Sequence, residues 1–312
     1  MRIPEGVNFS DYINIVGELE AQEIHSAGYW RDKLLERAKG PKIWGDKLPW
    51  GKTHNHFRLR PGELTVWAGI NGHKKSLLLG QVMLNLAGSR KIAIASLEMY
   101  PEETLFRMCM QASGVRDGTL SPAYIKEFSN YADRNILIYD QLDTVPTEKI
   151  LGFVHYCAKE LGCEHIVLDS LSKCGIKNDM DAEAEFINRL QWAAKNLRCH
   201  VHLVHHVKKP QHSNKYYRPN KFDVKGNGAL TDMADNVIIV WKNIRREEEL
   251  EKKSEGYSFD TELVLNTCDQ ELIVEKQRHG QWEGYFKLWF HPSGQFLAAD
   301  GNSIPVNLAE AA

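Results

Sequence analysis

Between Leu64 and Lys242 the chain alternates between two patterns. Short β-rich runs (LTVWA, KIAIASL, ILIY, HIVLD, VHLVH, NVIIVW) are separated by helix-forming stretches at residues 75–88, 101–112, 146–161 and 181–197. Such alternation implies a parallel sheet covered by helices on both faces. Right-handed crossovers then place the loops that follow the strands along one edge of that sheet. After Trp241 the order becomes strand after strand: ELVLN, ELIVEKQ, YFKLWF and FLAA. This reads as an antiparallel C-terminal extension of a mainly parallel α/β sheet. The intervening RREEELEKKSE carries both charge signs densely and reads as a solvated helix or loop.

Composition narrows the class. The chain has 312 residues, is 43% hydrophobic and 26% charged, which excludes disorder, collagen and a whole-chain coiled coil. That length can bury a large core without disulfides or metal. The 39 basic and 41 acidic residues nearly cancel, so any nucleic-acid surface must be local. Six scattered cysteines never form CxxC, which fits a reducing cytoplasm. There is no signal-peptide pattern, and IAIASL and VIIVW are far too short to span a bilayer, so no membrane role is expected. Residues 1–45 stand apart: a helix-forming stretch at 19–38 stopped by Gly40-Pro41 reads as a helical arm or linker. It could pack on its own chain or on a neighbour. Residues 46–312 then form the main domain.

The run Gly69-Ile70-Asn71-Gly72-His73-Lys74-Lys75-Ser76 follows the strand LTVWA and opens a helix, which is the setting of a phosphate loop GxxxxGK[ST]. Gly69 would permit the tight turn. Backbone N–H groups from here to Leu77, at the helix N-terminus, would surround the β-phosphate. Lys75 would reach the β- and γ-phosphates, and the Ser76 hydroxyl would hold Mg²⁺. ATP or another nucleoside triphosphate is the implied ligand. The sixth position is Lys74 where the pattern has glycine. Two readings stay open: Lys74 points outward and is tolerated, or the loop binds nucleotide poorly.

Three strand ends add chemistry at the same edge. KIAIASL leads into Glu98, placed to polarise the water that attacks a γ-phosphate. HIVLD ends in Asp169, suited to a Mg²⁺ shell, although a strand-terminal aspartate also serves as a cap or turn residue. VHLVH ends at His205-His206, where a polar side chain could sense the γ-phosphate. His200 and His202 share a strand face, but no second cluster with zinc spacing accompanies them.

The nucleic-acid signal is confined to loops. Residues 205–225 hold Lys208, Lys209, Lys215, Arg218, Lys221 and Lys225 against one acid, Asp223, with Tyr216, Tyr217 and Phe222 interleaved. Lysines can track phosphates while the rings stack on unpaired bases; a solvated loop whose aromatics cover its own base is the alternative. A second loop, residues 172–181, brings Lys173 and Lys177.

Taken in order, RPGELTVWAGINGHKKS, ASLEMYPEETLFRM, HIVLDSLSK, LVHHVKKP, DVKGNGALTDMADNVIIVWKN and EKQRHGQWEG resemble the RecA-like motor domain of DnaB-type hexameric replicative helicases. That family includes phage primase-helicases and the mitochondrial helicase Twinkle. The likeness covers roughly residues 57–296. It implies a RecA-like P-loop core, ATP hydrolysis with Mg²⁺, and a homo-oligomeric ring, hexameric by analogy, moving 5′ to 3′ on single-stranded DNA. Residue by residue, it implies Glu98 as catalytic base, Arg107 at the family's spacing, His206 as γ-phosphate sensor, and Lys276 with Arg278 as a finger that reaches the nucleotide of the neighbouring subunit. Only about 45 residues precede the motor, so a primase or loader is expected to be a separate polypeptide, or the protein is not a complete replicative helicase. Two other readings remain at this level. One is another RecA-like DNA-dependent ATPase: a recombinase, a RadA-like factor or a RepA-type helicase. The other is a nucleotide-gated DNA-binding scaffold.

Overall fold

The computed structural model describes residues 25–41, 43–115, 119–176, 179–208, 214–226 and 228–299. Lys177 and Lys209, two expected DNA contacts, lie outside them.

The alternating segment folds as β1 (Leu64–Gly69), α2 (Lys75–Leu86), β2 (Ile92–Ser96), α3 (Pro101–Ser113), α4 (Pro122–Asn135), β3 (Ile136–Ile138), α5 (Thr147–Lys159), β4 (His165–Asp169), α6 (Met180–Leu197), β5 (His200–His206), α7 (Gly228–Met233) and β6 (Asn236–Lys242), preceded by α1 (Arg31–Lys39). It continues through α8 (Ile244–Ser254), α9 (Thr261–Asn266), β7 (Gln270–Gln277), β8 (Gly284–Phe290) and β9 (Leu297–Ala298). One nine-stranded sheet results, in the order β3-β2-β4-β5-β1-β6-β7-β8-β9. The first six strands in that order are parallel and the last three pair antiparallel.

Strand alternation sends neighbouring side chains to opposite faces. Leu64, Val66 and Ala68 of β1 pack in one core with α5, α6 and α7, while Trp67 packs in the other with α2, α3 and α4. Burial on both faces explains why these strands read as continuous apolar runs.

Three local outcomes differ from the sequence reading. ELVLN is helix α9 rather than a strand: Asp260 accepts a bond from the Leu263 N–H and Glu262 sits in the first turn, and this capping outweighs the β-propensity of Val and Leu. The antiparallel extension therefore has three strands. Helix α4 was not anticipated, although Ser121 caps it and Pro122 opens it. Strand β7 carries a bulge, since Ile238 pairs with Val274 but Val237 pairs with Lys276, leaving Glu275 as the extra residue.

His165, His200 and His202 stack inside the sheet. His200 bonds Thr65 and the Arg60 carbonyl, and His202 bonds Trp67 and His165. All six cysteines are buried and unbridged. Helix α1 has no buried residue, whereas Leu48 and Trp50 are already in the core. Among the described residues no helix is long and apolar enough to cross a membrane.

Candidate active site

The turn between β1 and α2 wraps the Lys75 side chain. Its ammonium donates to the carbonyls of Gly69 and Ile70 at 3.0 and 3.1 Å. Burial pushes its pKa down to about 8, and the carboxylates of Asp169 and Glu98 work against that fall. Gly69 is required by packing rather than by its turn: a side chain there would be driven into the Val240 carbonyl of β6. Gly72, at φ 82°, is the glycine that the loop's left-handed step needs.

Lys74, in the usual glycine position, also adopts the left-handed conformation, at φ 61° and ψ 32°. This costs a non-glycine residue roughly 1–2 kcal/mol. Its ammonium lies 5.3 Å from the centre of the Phe290 ring, so the side chain leaves the loop toward β8. The residue still borders the open cleft beside Lys75. His73 turns the other way, into the sheet. Its Nδ1 accepts the Lys242 N–H at 3.0 Å and its carbonyl accepts from Gln270 at 2.9 Å, tying the loop to β6 and β7. Burial, reinforced by Lys75 and Lys242, holds this imidazole down to about 4, so it is neutral.

The acidic groups converge on the same edge because β2 and β4 are adjacent and parallel, with Ser96 beside Asp169. Glu98 follows β2 and accepts from Ser170 at 2.6 Å and from Ser172 at 3.4 Å. Ser170 and Ser172 bond each other at 2.5 Å, which fixes the carboxylate's direction. Burial raises the pKa of Asp169, and a hydrogen bond from Ser76 counters it. Ser76 and Asp169 together offer hard oxygen donors, which suit Mg²⁺. Among the described residues there is no group of three or more His, Cys, Asp or Glu side chains that could hold a metal ion.

Lys75, Ser76, Glu98, Arg107, Asp169 and His206 line one open cleft of about 1160 Å³, joined by Asn71, Gly72, Lys74 and Leu77. Small-molecule sites span roughly 300–1,000 Å³, so a triphosphate has room. His206 ends β5 beside Gly69. Its Nδ1 is buried without a partner among the described residues, and burial with Lys75 nearby lowers its pKa. A phosphate oxygen would satisfy that nitrogen.

Lys276 and Arg278 lie elsewhere. Gln277 pairs with Asn236, the first residue of β6, while Lys242 at the other end of β6 meets the phosphate loop. Seven residues of strand separate the two ends, roughly 20 Å at about 3.3 Å per residue. The two cations therefore cannot serve the cleft of their own chain.

Residues 214–225 of the basic loop rest on α8 and β7. Lys215 pairs with Glu248 and Arg218 with Glu271, each at 2.5 Å, and the Lys221 ammonium bonds the Glu275 carbonyl at 3.4 Å. Tyr217 bonds Asp223 and Phe222 is largely exposed. Lys208 and Lys225 are exposed at the rim and form no ion pair among the described residues. Lys173 pairs with Asp143 at 2.8 Å beside the cleft.

A family model described as the DnaB-like helicase C terminal domain matches residues 56–297. The chain belongs to that family. Among curated proteins it is 24% identical over 206 residues to the DNA helicase/primase of Enterobacteria phage T3, covering 59% of this chain and 36% of that protein. It is 25% identical over 232 residues to the Twinkle homolog protein, chloroplastic/mitochondrial, of Arabidopsis thaliana, covering 68% of this chain and 32% of that protein. The chain thus spans about a third of the length of the curated relatives it matches. Among solved structures, the ATPase domain of G40P superposes with a TM-score of 0.70 at 16% identity, covering 88% of this chain and 99% of that one. A DnaB-like replicative helicase, solved in a study of its interactions with primase, gives 0.67 at 16% identity, covering 88% and 67%. These likenesses show the fold.

Within this DnaB-like domain the sequence reading missed four contributors. Ser170 and Ser172 orient Glu98, and their signal was the SLS run after the strand aspartate. Asp143 lines the cleft, and Asp235 bonds Arg278; nothing local in the sequence marks either.

Proposed function

We propose that the chain is the motor of an ATP-driven helicase that forms a homo-oligomeric ring, hexameric by analogy with its family, and moves 5′ to 3′ on single-stranded DNA during replication. The observation that carries this reading is the split site. Lys75, Ser76, Glu98, Asp169 and His206 gather at one edge of the sheet, while Lys276 and Arg278 stand at the other. Only a second copy can bring the two halves together.

In this reading Lys75 leaves the Gly69 and Ile70 carbonyls for the β- and γ-phosphates. Glu98, held by Ser170 and Ser172, accepts a proton from the attacking water. His206 contacts the γ-phosphate, and Arg107 stabilises the cleft's negative charge. Ser76 and Asp169 would hold Mg²⁺, which supplies charge neutralisation on the phosphates when bound. Arg278 of the adjacent copy completes the site, and fingers of this kind contribute about 10³–10⁵ in rate. Lys208 and Lys225 meet the DNA backbone first, and Lys215, Arg218 and Lys221 follow when they exchange their carboxylate partners for phosphates. Residues 1–45 are read as an arm outside the motor, and a primase, with which a DnaB-like helicase of known structure interacts, as a partner.

Strand displacement on forked duplexes tests the reading. ATP-dependent opening of a fork with a 5′ tail is expected. Strand pairing without fork opening would indicate a recombinase, and ATP binding without turnover would indicate a scaffold.

A further inference from the structure

The bulge at Glu275 has a consequence for the finger. Leu272 and Val274 point into the core under α2 and α3, so regular alternation would send Lys276 and Arg278 the same way. The extra residue reverses that parity. Lys276 now pairs with Val237, whose side chain belongs to the opposite core under α6 and α7. Gln277 takes the former face and bonds the carbonyls of His56 and Trp282.

On the α7 face both cations meet a ready set of acceptors. Lys276 Nζ donates to the carbonyls of Thr231 and Asp232 at 2.9 and 2.7 Å. Arg278 Nη2 donates to those of Asp232 and Met233 at 3.2 and 3.1 Å. Arg278 Nε faces Asp235 Oδ1 at 3.3 Å. Asp235 is fully buried and rigidly held, because its other oxygen accepts the Leu64 N–H at 3.0 Å and Gln191 approaches both oxygens at 3.4 Å. Gln191 also donates to the Met233 carbonyl. Among the described residues no bond is made by Arg278 Nη1, the guanidinium nitrogen left to reach outward.

The same acceptors belong to the segment that follows the basic loop. Helix α7 starts three residues after Lys225, and Lys221 bonds the backbone carbonyl of the bulged Glu275 itself. Two links therefore run from the loop to the strand that carries the finger.

We propose that Asp235 is a positioning residue for Arg278, and that α7, which shares the guanidinium, lets the strand-binding loop set where the finger points. The proposal rests on the reading that Arg278 acts in trans. A carboxylate that grips Nε fixes the plane of the guanidinium while leaving its far side for a phosphate.

Mixed assemblies test it. Lys75→Ala copies have a dead cleft and an intact finger, and Arg278→Ala copies have the reverse. Mixing them should restore single-stranded-DNA-stimulated ATP turnover. Replacing the donor by Lys75→Ala/Asp235→Asn should lower the restored kcat at least tenfold with KM within twofold, and lower the stimulation by DNA. In an all-Arg278→Ala background Asp235→Asn should cost nothing further, because its effect passes through that side chain. If Asp235→Asn does not assemble, the nearly isosteric Gln191→Met, which loosens Asp235 and the α7 end, takes its place, with at least a threefold fall expected. Equal restoration by the plain donor and by whichever second variant assembles would overturn the proposal and leave the trans reading standing. No restoration by the plain donor would overturn the trans reading and the proposal together.

Discussion

In the proposed mechanism the chemistry turns on Lys75, and its environment makes that measurable. Its ordinary ammonium value is 10.5, and burial brings it to about 8. Above pH 8 the side chain is neutral and a triphosphate must restore its proton on binding. Nucleotide affinity should therefore be flat below about pH 7.5 and weaken toward tenfold per unit above pH 8. A Lys75→Met titration should be weak and flat, and a wild-type profile level from pH 7 to 9.5 would contradict this. The stability effect has the opposite sign to a favourable pairing. The unfolded chain binds the extra proton between pH 8 and 10.5, so this residue's contribution to stability rises with pH through that window. For Lys74, relief of the left-handed conformation by glycine, about 1 kcal/mol, opposes the loss of its contact with Phe290, roughly 0.5–1 kcal/mol. Lys74→Gly should thus leave melting temperature nearly unchanged and kcat within about threefold. A gain of a hundredfold would mean that the lysine was obstructing the phosphate.

Elements show where sequence legibility ends. The parallel strands, their helices and the phosphate loop were readable because each signal is local: an apolar run, a helix period, or a spacing of Gly, Lys and Ser within eight residues. Helix α4 was readable too, from Ser121-Pro122, and was missed. The bulge at Glu275 was not readable, because ELIVEKQR is an apolar run followed by polar residues with no parity of its own, and only pairing with β6 shows the extra residue. Nor could the sequence show that Lys215 and Arg218 rest on Glu248 and Glu271, which lie more than thirty positions away. Those ion pairs change what the basic loop should do. Single-strand binding loses a slope of about 0.7 in log affinity against log salt for each phosphate contact removed. Lys208→Ala and Lys225→Ala should each approach that change across sequences, while Lys215→Ala should give less, since its charge is already balanced by Glu248. Equal slopes for all three variants and the wild type would place the DNA elsewhere.

In the proposed reading the whole molecule divides its catalytic equipment between opposite edges of one sheet. The crossover rules that gather the ends of parallel strands at one edge leave a residue at the end of antiparallel β7, beside the start of β6, remote from them. In that reading a copy on its own holds a nucleotide cleft and presents a finger for another. Net charge near zero gives no long-range repulsion to oppose assembly. The most direct measurement is ATP turnover per copy, with Mg²⁺ and single-stranded DNA, across the concentration range in which the assembly dissociates. Turnover should fall by about 10³ or more as copies separate, and Arg278→Ala should sit near that floor at every concentration. A rate per copy that stays constant through dissociation would contradict the split site.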